Sequence, residues 1–171
     1  MRPRRVYVPL THDQVRELAA DRRLAAPLQG YAAGSPGRVD ARISPAAAEE
    51  EAEYLAFRAA AEHAGRLDEG VRRVIASADA PPGTLREVVA STSGAATGPV
   101  PVVIAEDLPL RAVASLHVDE AVDDAVDEAV DDREGEAADE DAEETAEESA
   151  EPDLLWYDVT ELDAVVADLD R

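Results

Sequence analysis

His12, Asp79 and Asp158, with Thr11 and Thr160 beside them, are the residues whose types and positions could do chemistry together. Each lies at the C-terminal end of a strand-like run: Arg4 to Leu10 (RRVYVPL), Arg72 to Ala78 (RRVIASA) and Leu154 to Val159 (LLWYDV). If these runs are parallel in one sheet, the five side chains share the edge at which open α/β sheets bind ligands. His12 could then act as a base, with Asp79 or Asp158 as its orienter or as an acid. Thr11 and Thr160 stand at helix starts, where free N–H groups could hold an anion. The plainer expectation is that the threonines cap helices and the aspartates end strands, as these residue types commonly do. On that weighing no residue is assigned as catalytic, and the five stand as candidates.

Other chemistries lack their residues or their spacing. His12, His63 and His117 lie about fifty residues apart with no HxH or HxxxH pair, so neither a metal site nor a cofactor is expected. His63 falls near a helix end, where it would serve the dipole, and His117 alternates with Leu116 and Val118 and should face away from them. The absence of cysteine removes disulfides, thiolate ligands and a Cys nucleophile, and fits a reducing, cytoplasmic setting. No GxSxG, GxGxxG, GxxxxGK[ST] or EF-hand pattern occurs.

Charge is the dominant compositional feature. From Asp119 to Asp153 nineteen Asp and Glu face a single Arg133, a net −18 out of −23 for all 171 residues. Such a stretch has too little apolar surface to offset its ordering entropy and repels itself, so residues 119–153 read as a disordered, solvated insert. Val118, Val122, Val126 and Val130 recur every four residues at its start, enough for at most a short frayed helix. The insert suits solubility or attraction to a basic protein surface, and the same charge opposes direct nucleic-acid binding. Arg2, Arg4 and Arg5 could join Arg72 and Arg73 across neighbouring strands as a basic patch, most simply paired with the acidic block. All sixteen basic residues are Arg in an Ala-rich chain, which points to a high-GC genome rather than to phosphate binding. Met1 to Arg5 is basic, but the apolar run Val6 to Leu10 is too short for a signal peptide, and no stretch is long enough for a membrane span.

The elements that must position these residues follow from periodicity and caps. Thr11 and Gln14 have capping-box spacing, and the helix they start runs out near Leu24. Gln29 to Ile43, with its Gly and Pro, reads as a loop. Ser44-Pro45 opens a second helix with an apolar face of Ala48, Ala52, Leu55 and Ala59, and neighbouring Tyr54 and Phe57, through about Ala64. Thr84 to Ala90 reads as a short helix, Ser91 to Gly98 as a connector, and Val100 to Ala105 as a strand whose Pro101 favours its start or a sheet edge. Leu108-Pro109 opens a helical turn, Ala114 to Val118 is a strand, and Thr160 caps a last helix through Leu169. Trp156 and Tyr157 point to opposite faces of their strand, one into the core and the other covered or at an interface.

The segments RVYVPLT, PLRAVASLHVDE and LLWYDVTELD together resemble a domain-of-unknown-function family from high-GC actinobacteria. The resemblance covers both ends of the chain and the strand before the acidic stretch, while Gln29 to Gly98 matches loosely. It implies a fold and a source, and no activity, cofactor or catalytic residue.

The expected protein is one α+β, or small α/β, domain formed by residues 1–118 and 154–171. It should have a mixed sheet of four or five strands, about three helices, and the acidic loop before the last strand. The expected function is a non-enzymatic binding or regulatory domain, with the insert acting by charge. The alternative is a small-ligand or enzyme domain using the strand-end edge near Thr11, His12, Asp79 and Asp158.

Overall fold

Alternation in RRVYVPL sends Val6, Val8 and Leu10 to one face of the first strand and Tyr7 to the other, and both faces are buried. That strand therefore lies mid-sheet, with layers on either side. The computed structural model describes residues 3–34, 44–67, 71–81, 83–88, 98–121 and 154–171. In chain order these form β1 (Arg4–Leu10), α1 (His12–Asp21), β2 (Arg23–Leu24), β3 (Leu28–Ala32), α2 (Pro45–Leu67), β4 (Val74–Ala80) and β5 (Leu85–Glu87). They continue with β6 (Val100–Ile104), β7 (Leu108–Pro109), β8 (Val113–Asp119), β9 (Leu154–Asp158) and α3 (Leu162–Leu169).

Among the described residues the main sheet has seven strands in the order β5-β6-β3-β1-β4-β8-β9, and β2 and β7 form a separate two-stranded ribbon. Every pairing is antiparallel. The fold is thus α+β with three helices, but the expected mixed sheet of four or five strands is corrected to seven antiparallel ones. Two strands were hidden by their composition. β3 falls where Gln29 to Ile43 reads as a loop, because Gly30 serves close approach rather than a turn. A Cβ at Gly30 would sit 3.1 Å from the Tyr7 carbonyl oxygen on the neighbouring β1. β5 replaces the expected helix at Thr84 to Ala90, since its exposed Arg86 and Glu87 suit a sheet edge. Pro101 lies in an interior strand, where Val88 N–H donates to its carbonyl.

The larger core lies on the face of Val6, Val8, Ala76, Leu116 and Val118, covered by Val15 and Leu18 of α1 and Leu162 and Val165 of α3. On the other face α2 packs through Ala56, Ala60, Ala61 and Ala64 against Tyr7 and Ile75. Small side chains let the helix approach the sheet, so its buried stripe is Ala52, Ala56, Ala60, Ala61 and Ala64; Leu55 and Ala59 sit at its half-buried margin. α1 begins with the full Thr11/Gln14 capping box, and Ser44 Oγ accepts from Ala47 N–H at the start of α2. No helix among the described residues is long and apolar enough to cross a membrane.

The acidic stretch beyond Ala121, with its valine spacing, lies outside the described residues. Asp119, with which the acidic block begins, is the last residue of β8 and pairs with Leu154 of β9.

Candidate functional site

The antiparallel sheet takes apart the constellation that parallel strands would have assembled. Leu10 pairs with Val74 and Arg4 with Ala80, so Thr11 and His12 leave the sheet at the end where β4 begins, opposite Asp79. Asp158 pairs with Ser115, which places it toward the Asp79 end, two strands from Asp79. Each candidate is also committed to a structural contact. His12 Nε2 donates to the Arg72 carbonyl at 2.9 Å, and the Asp79 carboxylate accepts from Arg5 Nε at 2.8 Å. Asp158 is the cap of the turn before α3, accepting from Thr160 N–H at 2.9 Å and from its hydroxyl at 2.7 Å. The Thr160 hydroxyl, with its N–H, holds the Asp158 carboxyl below the usual range. The expected capping role of Thr160 therefore passes to Asp158, with Glu161 completing the box. Thr11 N–H is taken by Gln14 Oε1 and Thr160 N–H by Asp158, so neither is free for an anion.

The expected basic patch is divided for the same reason. Arg4 and Arg5 lie at one end of the β1–β4 pair and Arg73 at the other, each with its own carboxylate: Glu87, Asp79 and Asp119. Arg72 Nη2 lies 2.7 Å from Asp168. Arg73 does pair with the first residue of the acidic block, through Asp119. Among the described residues no three His, Asp or Glu come together as a cation site.

The surface that the fold does build lies elsewhere. On the α2 face, strand pairing lines up Tyr7, Ser77, Ser115 and Asp158 in one row and Ile75, His117 and Trp156 in the next. α2 covers Tyr7 and Ile75, with Leu154 of β9 packed against the same cluster. Between its flank and β8 and β9 runs a groove of about 430 Å³, floored by Ser77, Ser115 and His117 and walled by Glu50, Glu53, Tyr54, Phe57 and Trp156. Phe57 holds the centre, edge-on to Tyr7 at 5.7 Å and tilted on His117 at 4.8 Å. Burial pushes the His117 imidazole below its ordinary pKa, so it is neutral near pH 7, with Nε2 3.3 Å from Ser115 Oγ. Burial, then the Glu53 charge, pushes the Tyr7 phenol up.

Among the described residues Arg5 is the groove's one lining cation, and it is paired with Asp79. It donates to both oxygens of Asp79 and, at 3.2 Å, to Ser77 Oγ, and that side-chain pairing raises its pKa further. Glu50 and Glu53 form no ion pair among the described residues. The groove thus combines aromatic walls, buried hydroxyls and two carboxylates outside any ion pair among the described residues, with Arg5 acting on Glu53 through space. Ser115 and His117 form a contact without a carboxylate hydrogen-bonded to the imidazole among the described residues, and Ser115 is buried.

Sequence reasoning found two of these residues: His117 faces away from Leu116 and Val118 as alternation requires, and Trp156 is the exposed partner of half-buried Tyr157. It missed the α2 contribution. The available signal was that Tyr54 and Phe57 flank a stripe of alanines too small to need them.

The family model described as a family of unknown function, DUF6912, matches residues 4–166. No curated protein and no solved structure matches the chain.

Proposed function

We propose that this chain, which belongs to DUF6912, a family of unknown function, is a non-enzymatic binding domain that takes a basic partner by charge. One observation carries the reading: the groove on the α2 face has aromatic walls and two carboxylates outside any ion pair among the described residues, in a chain of net charge −23. Acidic residues beyond Ala121 add long-range attraction for a positive surface and keep the domain soluble. The enzyme alternative needed His12 beside Asp79 or Asp158, and each of these is held in a separate structural contact. The cysteine-free composition fits a cytoplasmic setting, the lysine-free, alanine-rich composition fits a high-GC genome, and the resemblance of RVYVPLT, PLRAVASLHVDE and LLWYDVTELD to an actinobacterial family suggests that source.

The test compares the full chain with a variant in which the acidic residues from Asp123 to Asp153 become Asn or Gln. Binding of a synthetic Arg-rich peptide is followed by calorimetry at low and high salt. The reading expects affinity to fall with salt and with neutralisation, because screened charges several ångströms apart lose most of their attraction. Affinity unchanged by both, or no binding to either protein, overturns it.

A further inference from the structure

We infer that the partner is an extended basic peptide segment that adds to the free edge of β9 and places a Lys or Arg side chain in the α2-face groove. This rests on the binding reading above and names its occupant.

The two edges of the sheet differ. β5 is three residues long and carries exposed Arg86 and Glu87, with Glu87 held by Arg4. Short, charged edges resist pairing with another chain. β9 (LLWYD) is five residues long, has no Pro, Lys or Arg, and among the described residues pairs only with β8. It exposes Trp156 at 60 % and Leu155 at 40 % on opposite faces, so its outer side offers open backbone groups between two apolar side chains. That is the surface on which an incoming strand gains main-chain hydrogen bonds and side-chain contacts together.

Trp156 belongs both to this edge and to the groove. Side chains of an added strand alternate, so every second one falls beside Trp156 on the α2 face and the others fall beside Leu155. The groove selects what the first set must be. A Lys or Arg stem packs on the indole, its cation lies on the aromatic face, and Glu50 and Glu53 supply the opposite charge. Arg5 does not oppose it, being held by Asp79, and His117 is neutral. The motif is therefore basic residues alternating with apolar ones over about five positions, the length of β9.

Trp156 is the chain's single tryptophan, so its fluorescence reports the groove directly. The full chain is titrated with a peptide of alternating Arg and Val, with its Arg→Glu counterpart, with a version N-methylated on alternate amides, and with free arginine amide. The expected result is a saturable Trp156 change with the Arg–Val peptide alone. It should weaken by about tenfold or more in Glu50→Gln/Glu53→Gln and not in Asp13→Asn/Glu17→Gln, which removes the same charge from α1. Unaltered far-UV circular dichroism certifies both variants. If the Arg–Val peptide binds but the groove variant and N-methylation leave affinity unchanged, edge addition is overturned while charge-based binding stands. If arginine amide binds as tightly as the peptide, the groove takes a small cation and the peptide is overturned. A stable dimer without peptide in sedimentation would give the edge to a second copy and overturn the inference. No Trp156 response to any basic probe overturns this inference, and the calorimetric titration above decides whether the binding reading falls with it.

Discussion

Asp119→Ala should cost about 2–3 kcal/mol of stability, although Asp119 opens a stretch of self-repelling acidic residues. Its carboxylate accepts from Arg73 N–H at 2.7 Å, from Nε at 2.9 Å and from Nη2 at 2.6 Å, and its backbone N–H donates to the Arg73 carbonyl. Arg72 Nε also donates to the Asp119 carbonyl, so both arginines are fastened where the chain leaves β8. The Arg73 and Asp119 side chains are 30 % and 22 % exposed, and the Asp119 carboxylate raises the Arg73 pKa. Hydrogen bonds to charged groups contribute about 1.5–3 kcal/mol each when shielded, and those sharing one carboxylate do not add in full. Against this, removing one charge from the acidic run relieves repulsion worth only a few tenths of a kcal/mol at exposed, screened distances. The clasp wins. The matched control is Asp79→Ala, whose pair with Arg5 is 37 % and 46 % exposed and should be worth about 0.5–1 kcal/mol. Urea unfolding at pH 7 reads both as shifts in midpoint at constant slope. If Asp119→Ala matches or falls below Asp79→Ala, or stabilises, repulsion governs this position and the reasoning fails. The order also decides how the acidic stretch should be dissected: a deletion beginning at Asp119 cuts the clasp as well as the charge.

Three further outcomes are expected. Gly30→Ala should lose about 1–2 kcal/mol by urea unfolding, because crowding the Tyr7 carbonyl at 3.1 Å outweighs the roughly 0.4–1 kcal/mol of unfolded-state entropy that Ala removes; a gain would show that β1 and β3 can part. Thr11→Ala should cost about 1 kcal/mol and Thr160→Ala less, since Thr11 carries a capping box and Thr160 only donates to the cap Asp158; equal losses would contradict the assignment. Burial lowers the pKa values of His117 and His63, the latter with help from Arg66, so the folded state binds fewer protons than the unfolded one. Stability from this source is complete above the unfolded value of about 6.5 and is lost as pH falls through the folded values. His117→Gln should flatten that fall in the urea midpoint, and an unchanged slope would remove His117 from the linkage.

What was legible in the sequence was local. The Thr11/Gln14 box, the Ser44-Pro45 start and the alternation of RRVYVPL and LLWYDV each depend on residues within one or two turns, and the structure has those elements. Strand direction depends on how distant segments meet, which no local pattern encodes. His12 and Asp79 were therefore gathered at one edge on paper and lie at opposite ends in the fold. Gly30 shows the same limit at one residue: a glycine in a turn and a glycine beneath a neighbouring carbonyl read alike until the neighbour is known. Asp158 and Thr160 are both good cap residues two positions apart, and only the backbone decides between them.

The groove itself follows from the dimensions of the layers. Seven strands about 4.8 Å apart make a sheet roughly 29 Å wide, whereas a helix with its side chains is about 10–12 Å across. Two helices, α1 and α3, bury one face of the sheet; among the described residues α2 alone packs on the other, seated on Tyr7 and Ile75, and the groove lies between its flank and β8 and β9. Beyond the helix the sheet needs only small or polar side chains, and the buried Ser77 and Ser115 and the cap residue Asp158 meet that need. Trp156 does not. A solvated edge strand is guarded against pairing with other chains by a charge or a proline, and an indole three-fifths exposed on an edge left unpaired among the described residues works against solubility. Fold stability does not call for the indole there, since the core on that face is already closed by the alanines of α2. Under the proposed reading the contact that would account for its exposure comes from another chain, and the carboxylates lining the same groove would require that chain to be basic.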